Sequence, residues 1–521
     1  MYSCPNCGGH IRYDIPTATI HCDNCDSSFD PYALEGGQDA EEQKTYETTL
    51  FTCPHCGGEI TSTDVTAASF CTYCGSPVIL SSRVSREKRP AMILPFTRTK
   101  EDCKEAYRKL MNRAVFVPKE LRDPAYLEQF RGIYIPYWLY DVQFRGVSSI
   151  SGSKEHREGS YIVKTDYELR GDLDAVYPNI YYDASSSFDD SIGETIAPYE
   201  SGKLQPFAPS FLCGFYADTS DVPGSVYQSD AKKFAEKEVS LALSKHPSYR
   251  NFSPDADQNI HLDPEMAEAR LTMFPVWFLT WRKGDRVAYA VANGQTGKIS
   301  ADLPIDYGKY ILGSLLVSLP IFLLLNLLFT LSPAGTLLIT SGLAVFSLLA
   351  YSRQLGIITE RKERVKDKGY QYMQKKMREP ADDSLNPLTW FSGKKKSSPT
   401  SISLWCAILA ALFFNSVSGS RIIIMILLVM LSLLGLFAAG KIRAAGSAGE
   451  LLIPAGAILA PVLALVILII HPVDDINYYA GALLSLAGIG LNIIGILRKY
   501  NDQAMRPLPE FVHREGGDNR A

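Results

Sequence analysis

Eight of the eleven cysteines fall into one arrangement that is used twice. Cys4 and Cys7 form a C-x2-C pair, fourteen residues follow, and Cys22 and Cys25 form a second pair; Cys53, Cys56, Cys71 and Cys74 repeat the spacing without a change. Four thiolates at about 2.3 Å from one ion need two short loops whose sulfurs converge, and each C-x2-C turn supplies two of the four. The spacing predicts two tetrahedral four-thiolate sites, each with a β-hairpin between its loops. Gly8, Gly9, Gly57 and Gly58 follow the first loop of each copy, where backbone amides must curl toward sulfur. Zn2+ is the expected occupant, two ions per chain; iron uses the same four thiolates, and spacing does not separate the two metals. His10, His21 and His55 lie beside the loops and read as supporting or solvent-facing groups. Cys103, Cys213 and Cys406 stand outside any ligand pattern and read as ordinary buried or membrane cysteines.

Disulfides are the competing use of so many cysteines, and the rest of the chain argues against them. The sequence opens Met-Tyr-Ser-Cys with no basic, apolar leader, which places the first 300 residues in the reducing cytoplasm. Six stretches further on carry no charge over most of their length: 310–331, 334–351, 403–419, 422–440, 451–470 and 477–497. Roughly 20 apolar residues span a bilayer, so these read as six transmembrane helices of a multi-pass cell-membrane protein. The 352–402 loop holds twelve Lys or Arg, and the connections on the opposite side hold Arg421 with Asp474 and Asp475. Positive loops stay inside, so both termini are expected in the cytoplasm and the basic loop against anionic lipid.

Residues 1 to 80 contain eleven acidic and two basic side chains, Arg12 and Lys44. Nucleic-acid binding needs clustered Lys and Arg, and the nearest run is Arg83, Arg86, Lys88 and Arg89, read as a solvated linker. Between these segments, residues 81–308 read as an α+β domain. Helices are expected over 99–111 and 230–243, and strands over 133–150, 161–177, 271–281, 286–292 and 298–303. The order helix, strand with Pro-x-Trp, hairpin partner occurs around Pro136 and Trp138 and again around Pro275 and Trp277, which points to an internal duplication.

No catalytic constellation emerges, so the chain reads as a non-enzyme. Gly294 to Ser300 has a Gly-Lys pair, but Ala292 stands where a phosphate-binding loop needs its first glycine and Ile299 where it needs a hydroxyl. It reads as a tight turn, and no nucleotide is expected. Asp172, Asp174, Asp189 and Asp190 read as solvated loop acids. Tyr177, Tyr181, Tyr182 and Phe188, near a Ser-rich stretch, read either as a recognition loop or as a hairpin wrapped on the core. The membrane segments carry Asn326, Asn415 and Asn492 but no central charge, which fits an anchor better than a coupled transporter.

CPNCGGHI with CDNCDSSF, and CPHCGGEI with CTYCGSPV, resemble the zinc ribbons of transcription factor IIB type found in many bacterial and archaeal proteins. FRGIYIPYWLYD (130–141), FPVWFLTW (274–281) and NGQTGKISADLPI (293–305) resemble a family of zinc-ribbon membrane proteins, some members of which are thought to belong to envelope-stress modules. The resemblance covers about residues 1 to 330; the doubled ribbon and the six-span tail go beyond the family's usual pattern. The expected organisation is a ribbon at 1–30, an acidic linker at 31–50, a second ribbon at 51–80, the α+β domain at 81–308, six helices within 309–500 and a cytoplasmic tail at 501–521. The function this implies is recruitment of other proteins at the inner membrane face, with a membrane-tethered nucleic-acid binder and a transporter as the alternatives.

Overall fold

The computed structural model describes residues 3–34, 45–62, 71–76, 81–245, 253–254, 264–328, 332–362, 367–378, 421–445 and 451–509. Strands β1 (Ile11–Asp14), β2 (Thr19–Cys22) and β3 (Ser28–Phe29) form a small antiparallel sheet. Alternation sets its faces: Ile11, Tyr13, Ile20 and Cys22 point inward and are buried. Tyr13 packs on Phe211 at 5.3 Å, and Ser210 Oγ donates to the Pro31 carbonyl at 2.6 Å, so this unit rests on the middle domain.

The second cysteine-bearing region is part of a larger sheet. β4 (Thr45–Thr52) pairs with both β5 (Glu59–Ser62) and β6 (Ser81–Lys88), and β5 pairs with β11 (Tyr216–Asp218). The strand β4 takes in residues 45–50, which the sequence assigns to a linker, because Tyr46, Thr48 and Leu50 alternate inward and are buried. The basic run from Arg83 to Lys88 is likewise strand rather than linker.

Two long hairpins form the centre of the middle domain. β8 (Arg131–Glu158) pairs with β9 (Tyr161–Asp183), and β14 (Arg270–Lys283) with β15 (Arg286–Asn293); β8 and β14 then pair antiparallel, giving the order β9-β8-β14-β15. The short strand β11 runs parallel to β8 at Ile133 and Tyr134, and β7 (Met92–Ile93) runs parallel to β14 at Thr272 and Met273. Pro136 and Pro275 occupy matching places: their carbonyls accept from Ala184 N at 2.8 Å and Gly294 N at 2.9 Å. The indoles of Trp138 and Trp277 each donate at 2.8 Å to a backbone carbonyl, of Val222 and Arg98 respectively. The two Pro-x-Trp segments thus make matched contacts on either side of the β8–β14 pair. Helix α1 (Lys100–Arg113) begins at a capping box between Thr99 and Asp102, and α4 (Gln228–Lys245) precedes the second hairpin. Between them lie the short helices α2 (Pro124–Leu127) and α3 (Asp190–Ile196).

Beyond Asp306 the described residues are mainly helical. The helices are α5 (Tyr307–Leu328), α6 (Pro333–Lys362), α7 (Lys368–Arg378), α8 (Arg421–Ala445), α9 (Ala455–Ile470) and α10 (Ile476–Ala504). Four of them, α5, α6, α8 and α10, are long and apolar enough to cross a membrane, and α9 is a shorter apolar helix. The expected span 403–419 lies outside the described residues. Helices α6, α8, α9 and α10 pack together in two layers. One joins Leu337 and Val345 to Ile424, Leu428, Leu468 and Ala482; the other joins Leu348 and Leu355 to Ala438, Ile442 and Ala457. That ordering makes α6, α8 and α10 run one way and α9 the other. Gly488 lies against Gly456, where a Cβ would come within 2.8 Å of backbone, so α9 and α10 touch directly. Asn492 Nδ2 donates to Ser347 Oγ at 2.9 Å, which makes this asparagine a helix-to-helix contact.

Candidate metal centres

All four cysteine turns in the two centres share one backbone pattern. Counting the first cysteine of each turn as position one, its carbonyl accepts from the fifth residue's N–H: Gly8 to Cys4 at 2.8 Å, Asp26 to Cys22 at 3.0 Å, Gly57 to Cys53 at 2.8 Å and Gly75 to Cys71 at 2.9 Å. The same cysteine's N–H donates onward to the sixth residue's carbonyl, of Gly9, Ser27, Gly58 and Ser76, each at 2.9 Å. This closure forces the fifth residue into the left-handed region, with φ of 70°, 55°, 74° and 64° in turn. Glycine fills three of these positions and Asp26 the fourth. Short Asp and Asn side chains tolerate this backbone better than other non-glycine residues.

The sulfurs converge as a metal requires. Cys4 and Cys25 Sγ are 3.6 Å apart and Cys7 and Cys22 Sγ 3.5 Å; in the second centre Cys53 and Cys74 are 3.8 Å apart and Cys56 and Cys71 3.6 Å. Within each group all four lie within 4.8 Å of one another. A tetrahedron with arms of about 2.3 Å has edges of about 3.8 Å, so both groups fit a four-thiolate zinc ion. His21 stays apart from the first group, its ring lying 3.5 Å from Ser28 Oγ and 3.6 Å from Asp26. Cys103 and Cys213 are buried outside both cysteine groups, and Cys406 lies outside the described residues.

The two centres differ in their surroundings. In the first, Cys7 and Cys25 reach solvent. All four cysteines of the second are buried in a core with Phe51, Ile60, Phe278 and Val291. Its second turn is cradled by the β14–β15 hairpin: Thr280 donates to the Thr72 carbonyl, and Tyr289 OH to the Tyr73 carbonyl at 2.8 Å.

Behind this turn lies Asp218, whose carboxylate accepts from Ser185 Oγ at 2.6 Å and Thr219 N at 2.8 Å. Burial pushes its carboxyl up to about 7. A carboxyl whose folded value exceeds its unfolded value stabilises the fold fully below the unfolded value, about 3.9, and loses that contribution as pH rises through about 7. Asp218→Asn stays neutral at every pH. Its melting temperature relative to the parent is expected to rise steadily between pH 5 and pH 8; a difference that does not change with pH would refute the assignment.

Other residues singled out in the sequence take structural places. Phe188 is buried, Tyr181 packs on Tyr137, Tyr199 and Phe274, and Tyr182 stacks on Tyr227 at 5.0 Å, so these rings wrap on the core. Asn293 Oδ1 accepts from Gln295 N and Thr296 N, both at 2.9 Å, and the short strand β16 (Ile299–Ala301) follows, which makes 293–298 a turn. Asp174 is solvated, 3.4 Å from Arg145. Asp189 and Asp190 correct the expectation of solvated acids: Asp189 caps α3 and pairs with Arg506 at 2.6 Å, and Asp190 accepts from Tyr227 OH at 3.0 Å. Nothing local signals the Arg506 contact, because the partners are 317 residues apart.

The last apolar helix is fastened to this domain. Asn501 Oδ1 accepts from Ile305 N at 2.7 Å and its Nδ2 donates to the Ile305 carbonyl at 2.9 Å, while Arg286 pairs with Asp502 at 2.8 Å. Strand β17 (Arg506–Pro507) then joins β15. At the start of α7, Lys368 pairs with Asp230, and Gly369 N donates to Tyr227 OH at 2.8 Å.

Fold and site together define a protein with two four-cysteine centres fitted to zinc, a mixed α/β domain and a set of apolar helices suited to a membrane. No family model matches the sequence, and no solved structure does. The chain is 31% identical to the uncharacterized protein YdjG of Bacillus subtilis (strain 168) over 314 residues, which take in 59% of this chain and 91% of that protein. It belongs to the family of that protein.

Proposed function

We propose that the chain is a non-enzymatic, membrane-anchored zinc protein that recruits partner proteins at the cytoplasmic face of the membrane. The observation that carries this reading is the multiple fastening of the helices to the zinc-bearing domain at Ile305–Asn501, Arg286–Asp502, Asp189–Arg506 and Asp230–Lys368. Such a domain is held at a defined height and orientation over the bilayer, as a docking platform requires. The first centre, with its exposed turns, is the part presented outward. A role in envelope stress rests on the family resemblance of the sequence motifs.

Six spans with both termini inside complete the proposal. That helices α6 and α8 run in one direction supports a further crossing between them, for which 403–419 is the apolar stretch in the sequence. Ile305 and Asn501 touch, so the start of α5 and the end of α10 share one side and the number of crossings is even. The basic 352–402 loop lies on that side, close to anionic lipid.

Nucleic acid is the weaker reading. Arg12 pairs with Asp23 at 3.0 Å, Lys88 lies over Trp138 at 4.7 Å, and Arg89 donates to the Phe207 carbonyl at 3.0 Å, so three of the few candidate phosphate contacts are engaged. A photo-crosslinker at Asn24, in the exposed first centre, is expected to capture protein neighbours in intact membranes, and Cys7→Ser to abolish the capture. Cysteine labelling is expected to find Asp474 outside and Lys368 inside. Capture of nothing above background, or tight and steeply salt-dependent binding of nucleic acid by the purified protein, would overturn the reading.

A further inference from the structure

The β8–β9 hairpin runs well past the body of the domain. At about 3.3 Å per residue, the stretch from Gly146 to Glu158 projects about 40 Å and closes in a two-residue turn at Gly159, φ 59°. The root is fixed: Asn179 N donates to Asp141 at 2.8 Å, and Arg270 pairs with the same carboxylate at 2.8 Å. The two edges of this arm are unlike. The outer edge of β8 is met by β14 from Arg131 to Leu139, by β13 (Glu265–Met266) at Val142 and Gln143, and by β12 (Ser253–Pro254) at Gly152 and Ser153. The outer edge of β9 from Tyr161 to Tyr177 has no strand against it among the described residues. An open edge presents unpaired backbone donors and acceptors, and it is the natural place for another strand to add.

We propose that this edge is self-complementary and that two copies of the chain pair through it, β9 against β9, antiparallel. Backbone polar groups point alternately to the two edges of a strand, so only residues of like parity face each other in a self-pair, and the twofold axis must fall on a residue. An axis at Glu168 sets Lys164 opposite Asp172 and Asp166 opposite Arg170, each pair occurring twice. On the other face it sets Val163 opposite Leu173 and Tyr161 opposite Ala175. Moving the axis to Tyr167 sets Lys164 against Arg170 and Asp166 against Glu168; moving it to position 169 keeps opposite charges at Lys164–Asp174 and Glu168–Arg170 but sets Asp166 against Asp172 twice, whereas the Glu168 axis opposes a single like pair, Glu168 with its own copy. Directly opposed like charges destabilise a sheet pair and opposite charges stabilise it, so the Glu168 register is selected.

The groups needed for this register are available. Among the described residues Lys164, Asp166 and Asp172 form no ion pair. Arg170 already lies 3.2 Å from Glu168 on its own strand, so the two axial carboxylates arrive with their own guanidinium groups beside them. Tyr161 and Ile162 are 78% and 72% exposed, an apolar tip that pairing would cover in part.

The test uses the full-length protein in membranes under mild oxidation, with the parent's own thiols as background. Glu168→Cys is expected to give a disulfide-linked dimer well above the parent, and Arg170→Cys none above it, because the axis brings only position 168 against itself. Co-expressed Lys164→Cys and Asp172→Cys chains give an independent reading and are expected to link to each other. In the Glu168→Cys background, Asp166→Arg should cut the dimer several-fold, and adding Arg170→Asp should restore it. Equal linking at 168 and 170, failure of both cysteine designs in protein that keeps its zinc, no restoration by the charge swap, or linkage to a different protein would overturn the proposal.

Discussion

Cys71→Ser is expected to unfold the middle domain, whereas Cys7→Ser costs one zinc ion and little else. The asymmetry follows from burial. Cys71 lies in the core with Phe51, Ile60, Tyr73 and Phe278, on the turn that Thr280 and Tyr289 hold through its carbonyls. A structural zinc ion contributes about 10–16 kcal/mol to the folding of a small metal domain, and a whole domain is stable by only about 5–15 kcal/mol. Three thiols left in that core without their ion cannot be compensated by the remaining contacts. Cys7 reaches solvent, and its unit packs on the rest through Tyr13 and Tyr32 against Phe211 without sharing a strand with the large sheet. Losing that site frees β1 to β3 and leaves the large sheet paired. Elemental analysis should find two zinc ions per chain in the parent and one in Cys7→Ser, with the parent's protease resistance retained. Cys71→Ser should be degraded throughout the middle domain. Equal damage from the two substitutions would show that the second centre is not the structural one.

How much of this could be read in the sequence depends on chain distance. The cysteine groups are local patterns, and the turns that shape them need only a few residues each. Helix α1 is local too, announced by early acids and an apolar stripe at Tyr107 and Met111, both buried. The Pro-x-Trp repeat was visible as a repeat, but its physical meaning, two central strands paired back to back, lies in contacts more than a hundred residues apart. The arm was half legible: strands were expected over 133–150 and 161–177, and β8 continues to Glu158. Residues 151–158, SGSKEHRE, have no apolar alternation because that part of the hairpin covers no core. The placing of Cys53 to Cys74 within the main sheet was not legible, since it depends on β11, a three-residue strand some 150 positions later. Neither were the contacts of Asn501, Asp502 and Arg506, which single polar residues make across the entire membrane segment.

Arg506→Ala is expected to lower the melting temperature of the middle domain by about 6–12 °C, the result of losing about 3 kcal/mol from a domain of this size. Its guanidinium lies 2.6 Å from Asp189 and 3.5 Å from Asp302, and 5.7 Å from the ring of Tyr289; all three charged side chains are less than 20% exposed. Without it, two shielded carboxylates lose the guanidinium they share, and β17 loses the side chain that holds it against β15. Lysine is a poor substitute, because the guanidinium reaches two acids from different nitrogens and a single ammonium does not. Breaking a shielded ion pair on one side costs more than removing both partners, so adding Asp302→Asn to Arg506→Ala should recover part of the stability instead of lowering it further. A melting temperature unchanged by Arg506→Ala, or strictly additive losses in the double variant, would mean that the triad is solvated and idle. If the loss is as large as its burial requires, the end of the last apolar helix is held to the zinc-bearing domain by a contact that also braces Tyr289, the residue that supports the second centre from below.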